Sequence, residues 1–273
     1  MTKLEIKTPT FTFEIFKQIL CKDSFDKINT WLEKGHCYLG KNEDLKNPKC
    51  EESDDIKGFD VPVLIKSRNG QNKGLMIIVG ESPLRNGTEK GLLVGFPFAV
   101  DYIMEKPPQC AVYKKLFNKL LNEPPNELPN GYDLYITDII KVWKKIEKLT
   151  VENNDRDILD KELEILCGMY DDIHILLMGS NAKKWGIDSD NCIEIPHMSR
   201  QNWNTWRIKI YEDAFRKLIN DGKITKEDIE DLKYIKDLLV KDTTELEFRS
   251  MDADIVAETA SKMISSELEK MIK

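Results

Sequence analysis

The chain has 273 residues, 41% apolar and 33% charged, with a formal net charge of −7. That size and balance fit an ordinary soluble chain of one large domain with an appendage. No apolar run approaches a membrane span and the opening Met1-Thr2-Lys3-Leu4-Glu5 is no signal peptide, so a cytoplasmic setting is expected.

Cys21, Cys37, Cys50, Cys110, Cys167 and Cys192 are scattered with no C-x-x-C pair. Free intracellular thiols are expected rather than a disulfide framework or a zinc site. No metal, iron–sulfur cluster or organic cofactor is expected.

In chain order, the first predicted elements lie between Phe11 and Lys34. Apolar residues recur there at helical spacing (Phe13, Phe16, Leu20, then Phe25, Ile28, Trp31, Leu32), with a break near Asp23-Ser24. Two amphipathic helices follow, Ser24 capping the second. The polar, acid-rich stretch from Cys37 to Asp60 reads as a long loop. Gly74-Leu75-Met76-Ile77-Ile78-Val79 is a short apolar block after a glycine, the pattern of a buried strand. It ends in the turn Gly80-Glu81-Ser82-Pro83, where a glycine lets backbone approach a ligand and the proline fixes the loop.

Tyr113 to Leu121 is a short helix stopped by Pro124-Pro125. Tyr132-Asp133-Leu134-Tyr135-Ile136-Thr137, aromatic and β-branched, is a second strand. A helix follows from Asp157 to Tyr170. The third strand, Asp172 to Met178, stops at Gly179-Ser180, and the fourth is Cys192-Ile193-Glu194-Ile195. Trp203 to Leu218 reads as a long helix. From about Asn220 the chain is highly charged and helix-prone, a C-terminal extension that packs on the core or mediates contact with a partner or a second copy.

Alternating strands and helices predict an α/β fold: three layers, α/β/α, around a central four-stranded parallel sheet, plus the helical extension. The domain spans residues 1–220, with its motif core at about 74–206, and the extension spans 221–273. Ligands of such sheets bind beyond the C-terminal strand ends, where all the punctuated segments fall.

Those segments, taken together, carry a resemblance. Gly80-Glu81-Ser82-Pro83, then Gly95-Phe96-Pro97-Phe98-Ala99, then Ile195-Pro196-His197-Met198-Ser199-Arg200-Gln201-Asn202 resemble, in order and spacing, the uracil-DNA glycosylase superfamily. The likeness runs from about Gly74 to Trp206. It implies a monofunctional glycosylase that extrudes a base from DNA and hydrolyses its bond to the sugar. The clustered cysteines of the iron–sulfur branch are absent.

The resemblance assigns Phe98, in a Pro-Phe pair, to stack on the base. It assigns His197 to donate to the base's O2 as negative charge develops. Met198 stands where the family usually has proline. In the best-known branches an Asp or Asn places the water at the second x of Gly-x-x-Pro; here that residue is Ser82. Serine orients a water but is no base, so Glu81 or Asp101 is left to activate it and to stabilise an oxocarbenium-like sugar. Ser199, Arg200, Asn202, Trp203 and Lys141 are candidates for contacts to DNA. The acidic net charge counts against a generic DNA binder, although Lys141, Lys144, Lys145, Lys183, Lys184, Arg200 and Arg207 make the motif region locally basic.

Asp138 is the most informative departure. Strand two continues as Asp138-Ile139-Ile140-Lys141, similar to the segment where uracil-specific relatives place an asparagine that donates to O4. A carboxylate offers acceptors alone, which suits the N4 amino group of cytosine. The expected substrate is therefore cytosine or a modified cytosine, as in foreign (phage) DNA. Uracil removal in repair and a non-catalytic nucleic-acid-binding module on the same fold are the alternatives. Asp138 capping the next segment or pairing with Lys141 is the plainer role for that residue.

Overall fold

A computed structural model describes residues 6–7, 11, 56–67, 74–81, 93–99, 111–122, 131–144, 151, 153–179, 192–198, 206, 220, 222 and 248–272. The strands are β1 (Ile6–Lys7), β2 (Ile56–Asp60), β3 (Val63–Ile65), β4 (Gly74–Gly80), β5 (Leu93–Gly95), β6 (Tyr132–Asp138), β7 (Val142–Lys144), β8 (Ile173–Met178) and β9 (Cys192–Ile195). The helices are α1 (Ala111–Asn122), α2 (Asn153–Cys167) and α3 (Phe248–Ile272), with a 3-10 turn at Pro97–Ala99.

The larger sheet has six strands in the order β1-β3-β6-β4-β8-β9. The strands expected from the apolar runs, β4, β6, β8 and β9, pair in parallel. The sheet as a whole is mixed, because β3 joins β6 antiparallel and β1 joins β3 antiparallel. The α/β character is as expected, but the sheet is mixed and six-stranded. The central strands β4 and β6 are buried along their whole length, which is why β4 reads as a near-continuous apolar run.

A second sheet, in the order β5-β2-β7, lies outside the sequence expectation. Its strand β2 falls at the end of the stretch read as a long loop, and β5 and β7 have three residues each. Strands so short carry too little alternation to register. This sheet adjoins the C-terminal end of β6: Ile139–Lys141 lead from β6 into β7, and the Asp60 amide donates to the Lys141 carbonyl at 3.0 Å. Strand β5 runs into Phe96 and the 3-10 turn, and so delivers Phe98 to the same end.

Each face of the large sheet has its own apolar cluster. One joins Met76, Ile78, Ile136 and Met178 to Leu116, Phe117 and Leu120 of α1 and to Val256, Ala257, Ala260, Ile264 and Leu268 of α3. The other joins Leu75, Ile77, Val79 and Tyr135 to Leu159 and Leu166 of α2, with Phe11 packed against it. Helix α3, in the C-terminal extension, packs its apolar stripe into the core, and Lys119 of α1 bridges Glu258 of α3 at 2.6 Å. The predicted helices at Phe11–Lys34 and Trp203–Leu218 lie outside the described residues except for Phe11 and Trp206.

At the N-terminal end of the parallel strands, polar groups pair across elements. Asp133, 1% exposed, accepts from the Ser67 amide, Lys66 Nζ and the Tyr170 hydroxyl, each at 2.7 Å. The Tyr132 hydroxyl donates to Asp172, whose other oxygen lies 3.1 Å from His174 Nε2.

A buried ion pair sits under the opposite end. Lys141 Nζ lies 2.8 Å from Glu162 Oε2, with both side chains essentially inaccessible. Nζ also donates to Thr137 Oγ1 at 2.9 Å and to the Asp138 carbonyl at 2.7 Å. Burial pushes the Glu162 carboxyl above its ordinary range, while Lys141 pulls it back. A carboxylate on the core-facing stripe of α2 is sustained by this partner. Lys141→Met should cost roughly 3–5 kcal/mol in chemical denaturation, because it strands Glu162 in the interior. The double variant Lys141→Met/Glu162→Leu should recover most of that loss. A single variant as stable as the parent would show that the pair supports nothing.

Candidate functional site

In the parallel register Gly80 of β4 stands beside Asp138 of β6. Gly80 has no side chain, and the space one would fill is taken. A Cβ there would collide with Asp138 Oδ1 and would lie 2.7 Å from Phe98 Cζ. The glycine was expected to let backbone approach a ligand. The space over the end of β4 is bordered by a carboxyl and an aromatic ring.

Phe98 reaches that point at a conformational cost. Its φ of 54° and ψ of 17° are left-handed, a region where a bulky residue is an outlier costing about 1–2 kcal/mol. Packing holds it there. Its ring lies 4.7 Å from the Tyr113 ring, 6.2 Å from Phe117 and 6.2 Å from the His197 imidazole, between centroids.

His197 follows β9. Its loop is pinned from both sides: Met198 is fully buried in the core, and the indole N–H of buried Trp206 donates to the His197 carbonyl at 3.3 Å. Met198 thus gives the loop an apolar anchor at the position where the resemblance leads one to expect proline. The Tyr113 hydroxyl lies 3.2 Å from Nδ1 and 3.1 Å from Nε2.

Glu81 extends across the end of β8. Its side chain lies over Gly179, where a Cβ would meet Glu81 Cδ at 2.8 Å and where φ is +101°. Both features require glycine at that position. The Gly179 amide donates to the Ile195 carbonyl at 3.1 Å, tying β8 to the segment that leads into His197.

Four predicted residues, Glu81, Phe98, Asp138 and His197, therefore gather at the C-terminal ends of the parallel strands. Phe98 and Asp138 both border the space over Gly80, the Phe98 ring lies 6.2 Å from that of His197, and Glu81 acts on His197 through its charge. Ser82, Asp101, Ser199, Arg200, Asn202 and Trp203 lie outside the described residues. Lys141 is a correction. Expected to contact DNA, it is 2% exposed and committed to Glu162, Thr137 and the Asp138 carbonyl, so its ammonium is not presented to a phosphate. It does not pair with the Asp138 carboxyl either; it holds that residue's backbone.

Nothing in the sequence marks Tyr113, which reads as one more apolar position on an amphipathic helix. Among the described residues no group of three or more His, Cys, Asp or Glu is arranged to hold a metal, and no helix is long and apolar enough to cross a membrane. The arrangement offers an aromatic face, acceptors on Asp138, an imidazole, and a second carboxyl beside the imidazole. That set can hold a flat polar ring and stabilise charge leaving it.

Burial holds the His197 imidazole below the usual histidine value of 6.5, and the Glu81 charge opposes this in part. Between its folded value and 6.5 the folded protein binds fewer protons than the unfolded chain, so stability rises with pH across that window. The penalty develops as pH falls below about 6.5. An NMR titration of the His197 Cε1 proton should give a midpoint below 6.5, with a shallower acid loss of stability in His197→Gln. A midpoint above 6.5 would contradict the geometry. No protein-family model, curated protein or solved structure matches this chain.

Proposed function

We propose that the protein is a monofunctional DNA glycosylase that hydrolyses the N-glycosidic bond of an extruded base, with cytosine or a modified cytosine as its target. The observation that carries this reading is the meeting of Phe98 and Asp138 over Gly80, with the His197 ring 6.2 Å from Phe98. A three-layer α/β/α arrangement, with the parallel strands at its centre and helices on both faces, is the corresponding fold.

The steps follow from the groups. The extruded base stacks on Phe98, which is worth roughly 1–3 kcal/mol and tolerates any base. Asp138 accepts from an exocyclic amino group, so it favours a cytosine edge over a uracil edge. As the glycosidic bond breaks, the bonding pair moves onto the base, and negative charge gathers at O2. A neutral His197 N–H donates to that oxygen. Water adds to C1′ of the sugar, losing a proton to a carboxylate. Glu81 serves as that base and as the anion opposite the positive sugar, with Ser82 orienting the water; Asp101 is the other candidate.

Oligonucleotides carrying different bases, incubated with the protein and then treated with alkali, test the reading. Strand breaks at a cytosine-type base support it. Tight binding without breaks would favour a non-catalytic module, and breaks at uracil alone would overturn the substrate assignment. His197→Ala should slow base release by a factor on the order of 10²–10³ while changing DNA affinity far less. Equal loss of both would make His197 structural.

Asp138→Asn restores an amide able to donate to O4. In a competition between duplexes differing only in the target base, it should shift preference towards uracil by roughly tenfold to a hundredfold. A parent that prefers uracil, with no shift in the variant, would show that Asp138 does not read the base.

A further inference from the structure

We infer that Tyr113 is a positioning residue for His197: its hydroxyl and ring fix the imidazole against Phe98, so that the stacking face and the charge-stabilising donor move as one unit. The catalytic consequence rests on the glycosylase reading above; the positioning itself does not.

Tyr113 lies on α1 and is 8% exposed, so its hydroxyl has little water to turn to. That hydroxyl lies within hydrogen-bond reach of both imidazole nitrogens, at 3.2 and 3.1 Å. Its ring packs edge-on to His197, with centroids 5.8 Å apart, and lies 4.7 Å from Phe98. Phe117, one turn further along α1, backs it at 6.4 Å.

The near-equal distances have a chemical meaning. A neutral imidazole has one donor and one acceptor nitrogen, and a phenol has one hydrogen to give and lone pairs to receive. One hydroxyl bonds one ring nitrogen at a time, and on a neutral ring Tyr113 donates to the nitrogen that lacks the hydrogen. It also accepts from an imidazolium. Glu81 at the end of β4 acts on the same ring through its charge. When Tyr113 donates to one nitrogen, the ring is oriented and the other nitrogen carries the N–H that donates to the departing base.

Tyr113→Phe removes the oxygen and keeps the ring. With the His197 signal identified from His197→Gln, the titration midpoint of His197 in Tyr113→Phe should fall by roughly half a pH unit to one, because hydrogen bonds to the charged ring are the stronger ones. Base release should slow by about tenfold to a hundredfold with DNA affinity unchanged. A midpoint equal to that of the parent would overturn the inference, whatever the activity. In the parent protein itself, a nuclear Overhauser contact between the Tyr113 ring and the His197 Cε1 proton is expected, and its absence would overturn the inference as well. If the parent releases no base from any oligonucleotide while the midpoint still moves, the positioning stands and the glycosylase reading falls.

Discussion

The C-terminal end of β4 has no room for a side chain, and the arrangement of the site follows from that. The parallel register sets Gly80 against Asp138, and the space a Cβ would need is held by the Asp138 carboxyl and the Phe98 ring. Phe98 in turn accepts a left-handed backbone to reach that space. Its ring then gathers Tyr113 and His197 around it. A methyl group at position 80 would push against a carboxyl and an aromatic edge at once, and overpacking of that kind typically costs about 1–3 kcal/mol. Most of that cost would fall on the site rather than on the sheet, since the hydrogen-bonded ladder on both sides of β4 would remain.

Strand alternation divides the labour at the end of β6. Successive side chains point to opposite faces. Thr137 contacts Glu162 and Lys141 on the α2 side, and Asp138 meets Phe98 on the other. Lys141 links the two faces by donating to the Asp138 carbonyl. A buried ion pair is a poor source of stability when set against well-packed apolar groups of the same size. Here it ties the loop after β6 to a helix, at the place where a small change in direction would move Asp138 off Phe98.

Much of the parallel core was legible. Strands β4 and β8 are apolar runs ended by glycine, β6 is rich in aromatic and β-branched residues, and burial on both faces leaves that signature, whereas β9 alternates with Glu194 exposed. The resemblance carried by the punctuated segments also singled out Glu81, Phe98, Asp138 and His197, which lie together at the C-terminal ends of the parallel strands. The second sheet was hidden: β2 carries a glycine within an acidic stretch, and β5 and β7 are three residues long. Lys141 and Glu162 were hidden for a different reason. Their partnership spans distant elements, and each alone reads as a solvated charge. Tyr113 was concealed by its helix, where an aromatic at a core-facing position is ordinary. Only the fold reveals that its hydroxyl meets an imidazole.

The claim that this cluster receives an extruded base is tested most directly by watching it fill. A duplex whose target cytidine carries a 2′-fluorine resists hydrolysis, since the electron-poor sugar disfavours the oxocarbenium-like transition state. Titrating that duplex into the protein with labelled histidine and phenylalanine reports on both rings at once. The His197 Cε1 and Phe98 ring resonances should move together and reach saturation with DNA binding. If both stay in place while the duplex is demonstrably bound, the base does not enter this cluster and the account is wrong.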